Sequence, residues 1–391
     1  MACYIHALGV VCAAGSGLEQ LYHNLFDNSV NYFHKVDVLS SRREKYVGSV
    51  AFDLPPFPQA ESRFFSRTNH LSHAALSQFE TDIRTAISNY GRHRVGVIVG
   101  TCTSGATEID RTRAIEASSG AIPESYDYSV EYMDNVAGFI KALYKIEGPA
   151  VSVSTACTSS GKAIAMGKRY LESGALDAVI VGGADAYALT TLNGFDSLAS
   201  LSASNCRPFG TQRDGINLGE GAAYLLMTRE PSDIRLFGAG ESSDAYHMSS
   251  PQPQGEGAEL AVSAALHDAM LTPRDIGYIN LHGTGTPAND EMEARLINRV
   301  FGTEVPVSTI KNRIGHTLGA ASAIELCACI GAIRDEKSRA IPQFVDYEID
   351  PALPSINLAS IGDIYRSPLL LSNSYAFGGS NCSLIVGPGG A

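Results

Sequence analysis

The chain has 391 residues, of which 45% are hydrophobic and 18% charged, an ordinary globular composition that suffices for two domain-sized units or one fused core. A formal charge of -12 excludes nucleic acid as a default partner, because phosphate contacts need a basic surface. No run reaches the roughly 18 consecutive apolar residues of a membrane span, and no basic leader precedes the apolar N-terminus, so neither a span nor a secretory signal is expected.

Taken in chain order, short apolar runs alternate with helical patterns. Strands are predicted over "RVGVIVGT" (94–101), "AVSVSTA" (150–156) and "LDAVIVGGADA" (176–186), then over "IGYINLHGT" (276–284), "EVPVSTIK" (304–311) and "CSLIVG" (382–387). Helical spacing fills residues 258–270 and 320–333. Buried strands separated by helices make this an α/β protein. The halves also echo each other. Cys157 ends a strand and precedes "SSGKAIAMGKRYL", while Lys311 ends a strand and precedes "IGHTLGAASAIELCACIGAI". A Gly-rich turn then feeds an apolar strand in each half, "LGEGAAYLLM" and "AFGGSNCSLIV". The repetition predicts two pseudo-equivalent halves, residues 1–230 and 231–391, with two strand–turn–helix corners facing one another.

The eight cysteines (Cys3, Cys12, Cys102, Cys157, Cys206, Cys327, Cys329 and Cys382) form no paired CxxC motif. They read as reduced cytoplasmic thiols, neither a metal site nor a disulfide framework. Cys157 differs by position, at the point where a strand gives way to a helix. There the helix N-terminus favours a thiolate, and the residue's own N–H is left to stabilise a developing oxyanion. A packed core thiol is the bland alternative, so neighbouring chemistry has to decide. "NLHGTGTPANDEMEA" puts His282 at the head of a Gly/Thr-rich loop, and "STIKNRIGHTLGAASAIE" puts His316 five residues beyond Lys311. Strand ends of this kind are where α/β folds place their sites.

In this order, "STACTSS", "LHGTGTPANDEMEA", "IKNRIGHTLGAASAIE" and "NSYAFGGSN" resemble the β-ketoacyl-acyl-carrier-protein synthases, condensing enzymes of the thiolase-like superfamily. "CRPFGTQRDGINLGEGA" and "SSDAYHMSSPQPQGEG" fit the same family, and the resemblance runs from about residue 4 to residue 387. It implies a thiolase-like fold with layered α-β-α-β-α architecture. It also implies that Cys157 carries the acyl chain as a thioester, and that His282 and His316 donate to the enolate left when a malonyl thioester decarboxylates. The backbone N–H groups of Cys157 and Phe377 match a second oxyanion pair. Lys311 matches an electrostatic and positioning residue paired with Glu325, and Asp290 and Glu293 match acids that hold the site's architecture. As bare sequence, "NDEMEA" reads instead as a solvated helix start. Thr284 and Thr286 match the pair that binds the pantetheine arm. Phosphopantetheine arrives on the acyl carrier protein, and no bound cofactor or metal is expected.

Three departures point toward a specialised pathway, such as one building aryl polyenes, as a rival to fatty-acid elongation. Ala376 stands where many relatives carry glycine, and Thr103 aligns with the acyl-pocket floor, often bulky and apolar in relatives. The region after "AAYLLMTRE" is short, with Pro231 following at once. Carrier proteins are acidic, so docking on this acidic chain needs a local cationic patch, for which Arg63, Arg67 and Arg207 are candidates. Relatives form homodimers, or heterodimers with a chain-length factor that lacks the cysteine. Competing readings are a degradative or CoA-dependent thiolase, with a Cys-His-Cys set that would have to enlist Cys382, a cysteine hydrolase, and a non-catalytic partner.

Overall fold

The computed structural model describes residues 2–36, 41 and 44–390. Ten strands form two five-stranded units with one plan. In the first, the strands Cys3–Cys12, Val95–Gly100, Ala150–Val153, Ala178–Asp185 and Gly221–Thr228 lie in the spatial order third, second, fourth, fifth, first. In the second, Ile234–Ser243, Tyr278–Asn280, Pro306–Ser308, Leu370–Ala376 and Ser380–Pro388 repeat that order. The directions repeat too: the first two pairings across each unit are parallel and the next two antiparallel. The units meet where Cys3, Tyr4 and Ile5 pair antiparallel with Leu236, Arg235 and Ile234.

The parallel strands explain the unbroken apolar runs of the sequence. Val95–Gly100 and Ala178–Asp185 are buried at every residue, because helices cover both faces. Helices Ser159–Glu172 and Ala321–Arg334 form the middle layer, each touching strands of both units. The second is buried at every residue from Ala321 to Ala332, so its apolar character runs all round rather than along one stripe. Small residues let these two helices approach closely. A Cβ on Gly161 would stand 3.0 Å from both Ser322 Oγ and Cys382 Sγ. Helix Arg67–Leu76 covers the first unit and helix Glu256–Ala269 the second, which completes the α-β-α-β-α layering.

The facing corners are a closer match than the sequence suggests, but with a different register. Superposing the starts of the two middle helices, Ser159 on Ala321, places Cys157 opposite Gly319, not Lys311. The preceding residues, Ala156 and Leu318, then coincide and share the same left-handed backbone, with φ of 51° and 53°. Such φ values are rare and strained for residues bearing a Cβ. "EVPVSTIK" forms a strand only over Pro306–Ser308, and Lys311 opens a short helical turn, Lys311–Ile314.

The two units end differently at their outer edges. The residues Asn357–Leu358 pair alongside Pro306–Ser308 and cap the second unit. At the other end, Ala150–Val153 is half-buried throughout, and no strand among the described residues pairs with its outer side. No helix among the described residues is long and apolar enough to cross a membrane.

Candidate active site

The first corner turns Cys157 into a cavity. The strained carbonyl of Ala156 is held by Cys102 Sγ at 3.1 Å and Ser159 Oγ at 2.6 Å, which fixes the turn just before the helix Ser159–Glu172. The cavity measures about 320 Å³ and takes its walls from both units, including Phe195, Thr284, Tyr375 and Phe377. Inside it, Cys157 Sγ lies 2.9 Å from His316 Nε2. The donor atoms of Cys157, His282 and His316 all fall within 4.8 Å of one another, and the two imidazoles meet edge to face at 5.5 Å.

Hydrogen bonds behind the two rings decide where their protons sit. His316 Nδ1 accepts the Leu318 N–H at 3.1 Å, so a neutral ring carries its proton on Nε2, facing the sulfur. His282 Nδ1 lies 3.3 Å from the Lys311 ammonium, again a donor, which places the His282 proton on Nε2 as well. Burial, reinforced by the Lys311 charge, pulls both imidazoles well below the usual histidine range. The pair is therefore neutral and presents two N–H donors. A metal would need the reverse arrangement, with lone pairs facing it and N–H groups donating outward behind. The spacing alone would suit an ion, but the tautomers do not.

Lys311 is itself 1% exposed and forms an ion pair with Glu325, also 1% exposed, on the middle helix. A buried charge of this kind persists only when paired. Burial pushes the Cys157 thiol up to about 11, although Lys311 and the backbone N–H groups of Cys157 and Phe377 pull it down. Desolvation thus opposes the thiolate that the helix start favours. Phe377 stands half-exposed at the cavity mouth, stacked on Phe195 at 5.7 Å and followed by Gly378 and Gly379 at positive φ.

The "NDEMEA" acids are not solvated. Asp290 and Glu293 are fully buried, and burial pushes them up to about 6 and about 8. Asp290 accepts the N–H groups of Phe209 (2.7 Å) and Gly285 (3.2 Å), while Glu293 accepts those of His282 and Gly283, both at 2.7 Å. They shape the loop that carries His282 and sets Thr284 and Thr286, hydroxyls 2.9 Å apart, in the cavity wall.

Other predicted residues lie elsewhere. The Thr103 hydroxyl donates to Asp185 at 2.6 Å, and the residue is not in the cavity wall. Asp185 went unmarked in the sequence, its only signal being an acid that closes an apolar strand. It also accepts from Thr101 Oγ1, the N–H groups of Cys102 and Thr103, and the Gly319 N–H at 2.6 Å. In the second corner the N–H equivalent to that of Cys157 is therefore consumed by an internal carboxylate. Arg67 is bound internally to Glu220 (2.6 Å) and the Val50 carbonyl (3.0 Å). Arg63 pairs with Glu61 at 3.0 Å and Arg207 donates to Gln212 at 2.8 Å, both at the surface.

The chain matches known proteins over nearly its whole length. The family profile described as "Beta-ketoacyl synthase, N-terminal domain" matches residues 5–232, and "Beta-ketoacyl synthase, C-terminal domain" matches residues 235–347. The 3-oxoacyl-[acyl-carrier-protein] synthase 2 of Synechocystis sp. is 31% identical over 97% of this chain and 96% of its own length. The tetracenomycin polyketide synthase ketoacyl synthase alpha subunit of Streptomyces glaucescens is 34% identical over 75% of this chain and 74% of its own. Among solved structures, the ketosynthase ApeO in complex with its chain length factor ApeC, from Xenorhabdus doucetiae, is 42% identical with a TM-score of 0.94, covering 99% of this chain and 98% of that one. The chain belongs to the beta-ketoacyl synthase family of acyltransferases.

Proposed function

We propose that this chain is the cysteine-bearing ketosynthase of a specialised carrier-protein pathway, extending an acyl chain held on Cys157 by decarboxylative condensation with a malonyl unit. The observation that carries the reading is the convergence of one sulfur, two imidazole N–H donors and two backbone N–H groups on one cavity. In the first half-reaction the Cys157 thiol attacks an acyl thioester. A new S–C bond forms, and the pantetheine thiol leaves with the proton. The transient oxyanion is matched by the N–H groups of Cys157 and Phe377.

In the second half-reaction a malonyl thioester enters past Thr284 and Thr286, with its carbonyl oxygen toward His282 and His316. The bond to the carboxylate breaks, CO₂ leaves, and the electron pair moves into an enolate held by the two Nε2–H donors. The enolate carbon attacks the acyl carbonyl, and Cys157 departs as a thiolate that takes up a proton. Phosphopantetheine supplies the thioester and travels with the acyl carrier protein. Lys311, Glu325, Asp290 and Glu293 hold the donors in place, and Arg63 and Arg207 are the surface arginines that remain as docking candidates.

A thiolase would need a second cysteine in the cavity. Cys382 is instead buried within the strand Ser380–Pro388. Identity of 42% to a ketosynthase solved in complex with its chain length factor, against 31% to a synthase 2, supports the specialised pathway. The unpaired edge Ala150–Val153 supports a subunit partner, with a chain-length-factor-like homologue preferred over a second copy. Residues 1–230 then form the nucleophile half and 231–391 the donor half. All eight cysteines are free, in keeping with the cytoplasm.

Intact-protein mass spectrometry after incubation with a panel of acyl carrier proteins tests this reading. Cys157→Ala loses the acyl adduct and keeps malonyl decarboxylation. His282→Ala and His316→Ala keep the adduct and lose condensation, and normal condensation by either variant refutes the enolate-donor roles.

A further inference from the structure

The second oxyanion donor, the Phe377 N–H, sits on an exposed turn. Phe377, Gly378 and Gly379 form the tip of the hairpin between the strands Leu370–Ala376 and Ser380–Pro388, which close on each other at Ala376 and Ser380. Phe377 is 38% exposed, and Gly378 and Gly379 have φ of 84° and 75°. A Cβ on Gly378 would meet no atom within 4 Å, so packing does not fix the tip there. Two backbone hydrogen bonds tie it to the second unit. The Met248 carbonyl accepts the Gly378 N–H and the Gly379 carbonyl accepts the Asp244 N–H, both at 2.8 Å.

Cys157 belongs to the other unit. An oxyanion needs both N–H groups at a fixed separation, so the tip has to be held against the first unit as well. The Phe195 ring stacked on Phe377 touches only its side chain. Ser380, the residue that ends the tip, reaches further. Its hydroxyl lies 3.0 Å from that of Thr158, which directly follows Cys157 and is fully buried. Among the described residues, no other side-chain hydrogen bond joins residues 376–381 to the first unit. The Thr158 hydroxyl is anchored in turn on the Thr155 carbonyl at 2.7 Å, within the nucleophile's own corner.

We propose that the Thr158–Ser380 hydrogen bond is the positioning contact that holds the Phe377 N–H in register with the Cys157 N–H, so that both meet the oxyanion formed when Cys157 takes up or gives up an acyl group. This rests on the condensation reading above. Neither residue lines the cavity, so each acts through the backbone it holds. The imidazole donors are oriented separately, His282 by Lys311 and His316 by the Leu318 N–H. The two half-reactions therefore separate: acyl transfer needs the backbone pair, and decarboxylation needs the two rings.

The test compares these half-reactions of the full chain in Ser380→Ala, Thr158→Val and Thr158→Ser. Uptake of an acyl group from acyl-carrier protein, read as the Cys157 mass adduct against time, should slow about 10- to 100-fold in Ser380→Ala and Thr158→Val, because a displaced donor keeps only part of its effect. Malonyl decarboxylation draws on the imidazoles and should fall less than about two-fold in the same variants. Thr158→Ser keeps the hydroxyl and should acylate within about three-fold of wild type. Thr158→Val also loses the bond to Thr155, so if it does not fold, Ser380→Ala decides. Unaltered acylation in Ser380→Ala, equal slowing of both half-reactions, or a Thr158→Ser variant as slow as Thr158→Val overturns the proposal. A wild-type chain that takes up no acyl group would refute the condensation reading instead, so the two failures are distinct.

Discussion

Replacing Lys311 with methionine separates the structural work of the buried ion pair from its work on His282. Methionine approximates the stem and removes the charge. Because Lys311 and Glu325 are each 1% exposed, the variant strands a carboxylate in the core, at a cost of about 3–5 kcal/mol. Unfolding entropy of about 2.1 cal/mol/K per residue amounts to roughly 0.8 kcal/mol/K over 391 residues, so the melting temperature should fall by about 4–6 °C. Adding Glu325→Leu removes the stranded charge and should restore most of that loss. Condensation should not return with it. Without the ammonium 3.3 Å away, His282 Nδ1 has no donor, and the ring can place its proton on either nitrogen. Losing one preorganised donor lowers kcat by about 100- to 1000-fold. Calorimetry paired with a product assay reads both effects. A double variant that condenses at the wild-type rate would refute the tautomer argument, and an undisturbed melting temperature in the single variant would refute the ion-pair argument.

Three further predictions concern protons and the second corner. Both imidazoles lie well below 6.5, so lowering the pH from 8 to 6 leaves them neutral, and any change in kcat over that range should follow Glu293 and Asp290, pushed up to about 8 and about 6, and not the histidines. A decline centred near 6.5 would contradict this. The thiol, by contrast, is pushed up to about 11, so alkylation of Cys157 by iodoacetamide should accelerate about ten-fold per pH unit between 7 and 10, and a plateau near neutrality would show a preformed thiolate. Asp185→Asn turns one acceptor oxygen into a donor facing backbone N–H groups, which predicts a loss of about 2–4 kcal/mol and slower acylation and condensation alike. A wild-type unfolding midpoint in denaturant would count against the hub.

The reacting residues were legible because each sits at a strand end with a distinctive neighbour: Cys157 before a helix, His282 before a Gly/Thr loop, His316 beyond Lys311. Their burial was not legible. Asp290 and Glu293 look like a solvated helix start, because a sequence does not reveal that Phe209, Gly285, His282 and Gly283 bring N–H groups to them. Asp185 was missed for a related reason, since its donors come from residues 101–103 and from Gly319, distant along the chain. Thr103 aligned by motif, but its hydroxyl faces that carboxylate rather than the cavity. Arg67 read as a surface cation, and a buried glutamate in another segment holds it. Local pattern reports which element a residue ends. It does not report which remote backbone group it meets.

The unequal edges of the two units limit how such chains can associate. One flank exposes an unpaired strand of four residues, Ala150–Val153, and the opposite flank closes on the two-residue piece Asn357–Leu358. An addition at the exposed flank uses up that strand edge on each molecule, so growth through Ala150–Val153 stops at a pair.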